Sequence, residues 1–513
     1  MIFQSVWSDI QVPRYSAIDA VLGIAEDLGD KPAVIEGETG QTLVYRELIE
    51  GANRVSAGLS HFGLAPGQPV AIALPNSIDF VLACYGAWRA GAWVVPINPA
   101  CKPAEIDVQI RDSGARYLIT VREHATDLKR SVERIFVTED NWNLLLNSDA
   151  VPPDIHVTPD DLAVVPYSSG TTGRPKGVML THSNIVANMW QLYATGEVRR
   201  DDVIVNFMPL CHAAGLNYVM NTFLGFGATV VLMRRFEFEN WLDLIIQYRA
   251  TTILLVPPVV LAVTRYPRWD GARLDSLRHA GCGAAPLSAD LHKAFEERTG
   301  LLLTQAWGMT EATCIVAGTP SDAAKRKYGS CGYLLPSCQA RVVDVTSGTE
   351  LGLAEAGEIW LRGPQIMTGY WNQPEATAET LMSDGWMRTG DIGYFDSDGC
   401  VYLVDRLKEM IKYKGLQVSP AELEDTLQSH SAVLEAAVVG TPDEMAGEIP
   451  TAFVVRRQGA AVDAQELLEY VAARVAPHKK IRAVEFVDQL PKSPTGKVLR
   501  MQLKGRARAQ RPN

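Results

Sequence analysis

Short continuous apolar runs alternate with stretches in which apolar residues recur at helical spacing. Continuous runs are typical of strands buried on both faces, and helical spacing predicts a covering helix. The predicted elements of the first part are helix 45–62, strand 69–74, helix 77–89, strand 93–97, helix 103–113 and strand 117–121. This alternation predicts a parallel sheet covered by helices.

The same alternation resumes after residue 177, with predicted strands at 203–207, 229–233, 252–256 and 302–305. From 332 onward, glycine and proline punctuate shorter runs, which predicts a more β-rich part with strands 393–395 and 401–404. Beyond residue 408 the pattern predicts a separate small set of α and β elements. Its helices are expected at 421–428 and 465–475, and its strands at 436–439 and 452–455.

These patterns predict an α/β fold of helix-covered sheets with a β-rich subdomain and a small α+β domain. At 513 residues the chain is too long for a single core. We place an N-terminal domain at 1–404, with its β-rich subdomain at about 330–404. A hinge follows at 405–408, and a mobile C-terminal lid spans 409–513.

Composition narrows the functional classes. The formal net charge of −11 argues against a nucleic-acid partner. The first residues show no basic region followed by an apolar run, so no signal peptide is expected. No apolar run is long enough to span a bilayer. The eight cysteines show no metal or disulfide spacing, so the cytoplasm is the expected location.

One polar loop stands out between two apolar runs. Residues 167–177 read YSSGTTGRPKG, with three glycines, serine and threonine hydroxyls, and two cations. Glycines let backbone N–H groups converge, and hydroxyls and cations add donors and charge, as a polyphosphate requires. It is not a Walker loop, because Gly177 rather than Ser or Thr follows Lys176 and no helix is predicted next. The alternative is a flexible surface hairpin.

Six further stretches follow in order: MPLCH at 208–212, GCGAAP at 281–286, WGMTE at 307–311, WMRTGD at 386–391, the segment 405–420, and PKSPTGK at 491–497. With the loop, their order and spacing resemble the adenylate-forming superfamily of acyl-CoA synthetases, luciferases and adenylation domains. Within it the chain looks most like 4-coumarate–CoA ligases and related acyl-CoA ligases.

The resemblance implies an ATP and Mg²⁺ site. Thr310 would contact the α-phosphate, and Glu311 would hold the metal, although an isolated strand-end acid can also be merely solvated. The other residues assigned to the nucleotide are Ser168, Ser169, Gly170, Thr171, Thr172, Gly173, Lys176, Gly283, Ala284, Ala285, Pro286, Ala306, Trp307, Gly308, Met309, Asp391, Arg406, Lys408 and Gln417. Trp307 would stack on adenine, unless it is purely structural, and Asp391 would bind the ribose.

The resemblance also assigns roles to the lid. Lys497 would bridge the carboxylate and the α-phosphate, and Lys408 is the hinge residue. Lys412 would face the site in a second half-reaction with coenzyme A, and the residues placed near that cosubstrate are Arg235, Lys414 and Gly415. Three lysines within seven residues could instead form a solvated face.

An acyl pocket is implied beside His212, which stands where relatives have an aromatic gate. Its other expected residues are Ala213, Ala214, Gly215, Gly281, Gly283, Ala306, Cys314 and Ile315. Ala214 replaces the aromatic residue that coumarate ligases carry, and Cys314, Ile315 and Val316 make the expected wall apolar. A hydrophobic pocket for a fatty or aryl, cinnamate-like acid is therefore expected.

The implied reaction is a two-step ligation of a small carboxylic acid to coenzyme A through an acyl-adenylate. An amide synthetase or a carrier-protein-loading enzyme would share the nucleotide motifs but use another acceptor. A non-catalytic nucleotide-binding protein would be expected to lack Lys497 or Glu311, and both are present.

Overall fold

The computed structural model describes residues 1–147, 151–168, 175–271, 274–285, 287–320, 326–414, 416–443, 445–493 and 496–509. Over these residues the chain forms four sheets and their covering helices. The helices are Ala17–Leu28, Tyr45–His61, Ile78–Arg89, Pro103–Ser113, Arg122–Leu128, Asn143–Leu146, His182–Ala194, Phe238–Gln247, Pro257–Arg265, Ala289–Thr299, Pro374–Thr380, Pro420–Gln428, Ala464–Ala472 and Arg500–Ala509. A π-helix spans Ala214–Phe223, and short 3₁₀ turns span Pro267–Gly271, Thr310–Ala312 and Pro477–Lys479.

The first large sheet has eight strands among the described residues. Their order is Gly369–Tyr370, Lys176–Thr181, Leu162–Val164, Trp93–Pro96, Pro69–Ala73, Tyr117–Thr120 and Arg134–Val137, with Tyr167–Ser168 paired to Lys176–Thr181. The apolar runs become its central parallel strands because both faces are covered by helices. Trp88, fully buried on one of these helices, donates its indole N–H to the carbonyl of Ala163 (2.7 Å).

The second large sheet has nine strands in the part of the chain that is described. Their order is Tyr333–Leu334, Ile315–Gly318, Leu303–Gly308, His279–Cys282, Thr252–Leu255, Val203–Asn206, Thr229–Leu232, Pro32–Glu36 and Thr42–Val44. Its middle strands are parallel. One apolar cluster joins this sheet, the first sheet and the helices around them.

A separate antiparallel sheet forms the β-rich part. Its strand order is Phe3–Gln4, Gln339–Val343, Gly357–Arg362, Met387–Phe395 and Val401–Arg406. The first of these comes from the start of the chain: Phe3 pairs with Ala340 and stacks on Phe395, with ring centroids 4.2 Å apart. Nothing in the sequence pattern predicts that strand.

The C-terminal residues build their own sheet and core. The strands are Leu416–Val418, Ile411–Tyr413, Gly447–Arg456 and Val433–Asp443, with Ala483–Phe486 paired in parallel to Gly447–Arg456. Two apolar clusters lie within residues 411–507 and share no member with the main core. The boundary at 404/405 stays a prediction, and residues 405 and 406 still belong to the last strand of the β-rich sheet.

The predicted α/β fold is confirmed, and most predicted elements are found within a few residues of their expected ends. Several predicted ends are wrong. The strands expected at 393–395, 436–439 and 452–455 span Met387–Phe395, Val433–Asp443 and Gly447–Arg456, and the helix expected at 465–475 ends at Ala472. The strands are longer because backbone pairing continues past the apolar run, and the helix is shorter because capping ends it first.

Like charges face each other where the lid meets the N-terminal domain. Asp425 of helix Pro420–Gln428 lies near Asp290 of helix Ala289–Thr299. Asp425 keeps contact with solvent, but the protein atoms around its carboxyl group, and then this neighbour, raise its pKa to about 6. Arg265 likewise lies near Arg457 of the lid, and burial followed by that cation lowers its pKa.

Candidate active site

The candidate site lies at the carboxyl ends of two adjacent parallel strands, His279–Cys282 and Leu303–Gly308. Open α/β sheets usually bind ligands at this edge. The short turn Thr310–Ala312 follows directly and carries Thr310 and Glu311, so the backbone delivers both side chains to the sheet edge.

Glu311 is held by hydroxyl groups from two other segments. Ser168 Oγ and Tyr370 Oη both donate to Glu311 Oε1, each at 3.1 Å. Lys176 lies over the Tyr370 ring, with its Nζ 4.8 Å from the centroid. A carboxylate, two hydroxyls and a cation are therefore gathered beside the predicted phosphate loop.

The central residues of that loop, Ser169, Gly170, Thr171, Thr172 and Gly173, lie outside the described residues, as do Pro286 and Gly415. Their roles stay predictions. Lys176 and Ser168, which flank the loop, pair directly across two antiparallel strands.

The residues present fit a magnesium ion at Glu311. Its Oε2 receives no hydrogen bond from any described residue, so one oxygen is available for a cation. No group of three or more His, Cys, Asp or Glu side chains that could hold a metal occurs among the described residues. One carboxylate completed by substrate phosphates and water is an arrangement that Mg²⁺ commonly uses.

Trp307, Asp391 and Arg406 form a second group. Trp307 Nε1 donates to Asp391 Oδ2 (2.9 Å), and Arg406 Nε lies 2.7 Å from Asp391 Oδ1. Burial raises the pKa of Asp391, while Arg406 and then the indole oppose that shift. Both donors thus favour the ionised carboxylate that ribose binding requires.

Asp391 lies inside strand Met387–Phe395, where it pairs with Arg406. The register follows from the pairing partner, which the sequence does not reveal. Trp307 is only 5% exposed, so adenine stacking would require its covering side chains to move.

The backbone around Glu311 leaves no room for larger side chains. A Cβ on Gly308 would lie 1.7 Å from the Cys314 carbonyl oxygen, so only glycine fits there. Met309 N–H donates to the same carbonyl (2.9 Å). Thr313 has a φ of 65°, a strained value for a β-branched residue, and its hydroxyl donates to Gln365 O (2.6 Å). The turn carrying Glu311 is therefore rigid.

The segment 281–285 follows strand His279–Cys282 into the site. Ala284 has a φ of 69° and is exposed, and a Cβ on Gly283 would come within 3.6 Å of the Ala306 carbonyl. Ala285 follows it and is half-buried. Cys282 is fully buried, and burial raises the pKa of its thiol, so it is not a reactive group.

Lys497 approaches the site from the lid. It keeps contact with solvent, but the protein atoms around its ammonium lower its pKa, and Arg406 and Lys408 lower it further. Burial and Arg406 likewise lower the pKa of Lys408, while Glu311 and Asp391 oppose that shift. Three cations thus surround the space next to Glu311 and Asp391.

The second lysine group is not brought to this cluster. Lys412 and Lys414 are both exposed on the lid, where the Lys412 N–H donates to Glu448 Oε2 (2.9 Å). Gln417 pairs with Lys412 across the hairpin, and Arg235 is exposed on the N-terminal domain. Their predicted roles stay predictions.

The expected acyl residues are only partly gathered. Gly281, Ala306 and Ile315 line one narrow cavity behind the strand ends. Cys314 is buried next to Ile315. His212, Ala213 and Ala214 precede or begin the π-helix without lining that cavity, and burial lowers the pKa of His212. The structure requires glycine at position 215, because a Cβ there would lie 2.2 Å from the Pro209 carbonyl oxygen.

Two polar residues, one beside Glu311 and one at the cavity, carry no sequence signal that would have marked them as site residues. Tyr370 contacts both Glu311 and Lys176, yet it stands in an ordinary glycine-containing stretch. Glu197 lines the narrow cavity behind the strand ends, although its position after Gly196 reads as a loop.

Known proteins share this arrangement. The family model of the AMP-binding enzyme matches residues 24–371, and that of the AMP-binding enzyme C-terminal domain matches residues 422–497. The chain belongs to the AMP-binding enzyme family. The resemblance inferred from the motifs is therefore confirmed.

Within this family the chain is similar over its full length to 4-coumarate-CoA ligase 1 of Narcissus pseudonarcissus. The two are 39% identical over 100% of this chain and 97% of the relative. A solved structure of an anthranilate CoA ligase, AuaEII, in complex with anthranoyl-AMP is 27% identical. It has a TM-score of 0.88 and covers 97% of this chain and 98% of that chain.

Two structures of one protein match this chain to different degrees. ATP-bound MatB from Rhodopseudomonas palustris is 30% identical, has a TM-score of 0.89, and covers 96% of this chain and 99% of that chain. The apo form of the same protein matches with equal coverage but a TM-score of 0.78. The arrangement described here is thus closer to the ATP-bound form. No described helix is long and apolar enough to cross a membrane.

Proposed function

We propose that this chain is an ATP-dependent carboxylate–CoA ligase whose acid is an aryl, cinnamate-like carboxylate. The observation that carries the proposal is the convergence of Arg406, Lys408 and Lys497 over Glu311 and Asp391. Family membership and the full-length similarity to a coumarate ligase support the same reaction.

In the first step a carboxylate oxygen attacks the α-phosphorus of ATP. The bond to the β-phosphate oxygen breaks, and acyl-AMP and pyrophosphate form. Lys497 would stabilise charge on the carboxylate and the α-phosphate, since a preorganised cation acts where charge develops. Thr310 would donate to the α-phosphate, while Ser168 and Lys176 would hold the leaving pyrophosphate. Mg²⁺ held by Glu311 would neutralise phosphate charge when it is bound.

In the second step the sulfur of coenzyme A attacks the acyl carbon, AMP leaves, and the thiol proton passes to solvent. Lys497 must withdraw to admit the thiol, so we infer that the lid turns about Lys408. That turn would bring Lys412 and Lys414, now exposed, to the site. His212 would then lie between the acyl pocket and the thiol channel.

A panel of carboxylic acids tests the proposal, with pyrophosphate and AMP measured in the presence and absence of coenzyme A. Pyrophosphate release that depends on the acid and AMP release that depends on coenzyme A are expected. ADP and phosphate as products would refute adenylation. AMP release that requires an amine or a carrier protein would favour the alternative acceptors.

We also infer that the protein works in the cytoplasm. All eight cysteines are free, seven of them buried, as expected in a reducing compartment. Fractionation of cells tests this: recovery with secreted proteins would contradict it.

A further inference from the structure

The loop that carries Lys497 is closed by its own backbone. Leu499 N–H donates to Pro491 O (2.8 Å), and Ser493 N–H donates to Lys497 O (2.8 Å). Lys497 N–H donates in turn to Ser493 Oγ (3.2 Å). Because these bonds tie Lys497 to the base of the loop, its position depends on what holds the next residue, Arg500, where the last helix begins.

Arg500 binds three segments of the lid with one guanidinium group. Its Nε donates to Glu409 Oε2 (2.8 Å), and Glu409 directly follows the predicted hinge. Its Nη2 donates to Glu424 Oε2 (2.9 Å), while its Nη1 donates to Glu424 Oε1 and to the carbonyl of Val438 (2.9 Å). Glu424 lies on a helix of the lid and Val438 on a strand. A guanidinium that meets a carboxylate through two donors is held in a defined geometry.

These contacts are largely shielded from solvent. The side chains of Arg500, Glu409 and Glu424 are 17%, 18% and 14% exposed. Ion pairs in such places are screened less than pairs on the surface. The ion pair between Lys492 of the loop and Glu435 is more exposed. Arg500 is therefore the firmer anchor of the loop.

Glu409 connects Arg500 to the nucleotide group. Glu409 N–H donates to the Arg406 carbonyl (2.8 Å), and Arg406 Nε lies 2.7 Å from Asp391 Oδ1. The Glu409 charge also reaches Lys497: surrounding protein atoms and then Arg406 lower the pKa of Lys497, and Glu409 opposes that shift. Lys497 thus lies near the carboxylate that Arg500 binds. One arginine joins the lysine loop to the group expected to bind the ribose.

We propose that Arg500 is a positioning residue for adenylation. By binding Glu409 and Glu424 it holds the Lys497 ammonium where the carboxylate and the α-phosphate react. The proposal rests on the acid–CoA ligase function above and on the role of Lys497 in its first step. Arg500 acts through Lys497 and not on the substrates. In the second step Lys497 is withdrawn, so Arg500 should matter little there.

The test is Arg500→Gln, with the two half-reactions measured separately. Pyrophosphate release should fall at least about tenfold, because a misplacement of about 1 Å can cost up to about a hundredfold. Thioester formation from supplied acyl-adenylate should be retained. Since that step needs a folded lid, it also shows that the variant folds.

Arg506→Gln is the matched control. Arg506 lies on the same helix, and its Nε pairs with Glu485 of the lid at 2.5 Å. Half of its side chain is exposed, so both half-reactions should stay within about twofold of the wild type.

Two further variants separate positioning from a merely structural role. Arg500→Lys keeps a cation that can pair with one carboxylate but lacks the planar fork, so it should recover part of the lost pyrophosphate release. Arg500→Gln added to Lys497→Ala should cause no further loss, because a positioning residue has no effect once the group that it positions is gone.

The outcomes are distinguishable. Acid-dependent pyrophosphate release that Arg500→Gln leaves unchanged, or a fall of both half-reactions by the same factor, would overturn the role of Arg500 and leave the ligase function standing. A further fall when Arg500→Gln is added to Lys497→Ala would overturn it as well. No acid-dependent pyrophosphate release by the wild-type protein would overturn the ligase function itself.

Glu409→Leu decides if Arg500→Gln does not fold. It removes the contact on the hinge side, while Arg500 keeps Glu424 and Val438 as partners. Pyrophosphate release should fall severalfold and thioester formation should be retained. Unchanged pyrophosphate release in Glu409→Leu would overturn the proposal.

Discussion

Lys497 differs from the other lysine of its loop, Lys492, in what surrounds it. Lys492, five residues earlier, pairs with Glu435 of the lid at 2.6 Å, whereas Lys497 faces Arg406 and Lys408 and has a lowered pKa. Glu409 and Asp391 partly oppose that lowering, but no ion pair with Lys497 is found among the described residues. Lys497 is therefore suited to bind the negative charge of a carboxylate and a phosphate.

Lys497→Ala should reduce acyl-adenylate formation on the order of a hundredfold or more, because a preorganised charge is lost. Conversion of supplied acyl-adenylate with coenzyme A should remain. Both steps are measured separately, by pyrophosphate release and by thioester formation. Lys492→Ala is the matched control and should stay within about twofold in both. An equal fall in the two steps of Lys497→Ala would contradict the two-orientation mechanism.

Trp307 supports Asp391 through its indole N–H, so Trp307→Phe should weaken ATP binding. Hydrogen bonds to charged groups contribute about 1.5–3 kcal/mol, which predicts an increase in KM for ATP of roughly tenfold or more. The pKa of Asp391 is already raised by burial, and losing a donor raises it further. As the pH is lowered, Trp307→Phe should therefore lose ATP binding at a higher pH than the wild-type protein does.

The measurement is KM for ATP between pH 5 and 8. Trp190→Phe is the control, because that indole donates to Tyr15 (2.8 Å) instead. An unchanged KM and pH profile in Trp307→Phe would show that Asp391 does not depend on the indole.

At the scale of elements, the turn after strand Leu303–Gly308 sets the position of Glu311. Gly308→Ala should displace it, because the new Cβ would overlap the Cys314 carbonyl. We expect a loss of about 1–3 kcal/mol of stability and most of the activity, measured by denaturant unfolding and pyrophosphate release. Gly23→Ala, on helix Ala17–Leu28 with open space around it, should be stabilising by roughly 0.5–1 kcal/mol. Full activity in Gly308→Ala would disprove the positioning role of this turn.

Elements with continuous apolar runs or clear helical periodicity were predictable from sequence. The helix expected at 77–89 is an example: it spans Ile78–Arg89, and the hydroxyl of Ser77 caps it by accepting from Phe80 N–H (3.2 Å). Asp391 was less predictable, because its place within a strand depends on pairing with a distant partner. Glu197 was not predictable at all, since only the fold reveals that a loop acid ends in an apolar cavity.

At the scale of the whole molecule, the charges between the lid and the N-terminal domain connect pH to lid orientation. The pKa of Asp425 is raised to about 6 from its ordinary value of 3.8 in the arrangement described. That arrangement therefore binds a proton more tightly than a lid turned away from Asp290, and it is favoured as the pH falls through 6.

Asp425→Asn should favour the described orientation at neutral pH and remove this pH dependence. Energy transfer between dyes on the two domains, recorded from pH 5 to 8, measures it. Glu469→Gln is the control, because that acid hydrogen-bonds to Gln465 within its own helix (2.6 Å). If Asp425→Asn keeps the wild-type pH response, another group controls the lid.

The strand Phe3–Gln4 closes the edge of the β-rich sheet by pairing with residues 339 and 340. At ribosomal rates of about 5–20 residues per second, its partner is made roughly 20–70 s after it. This strand thus waits while more than 300 further residues are made before it can pair. A ribosome stall within that interval would leave Phe3 without Phe395 and this strand open to proteases.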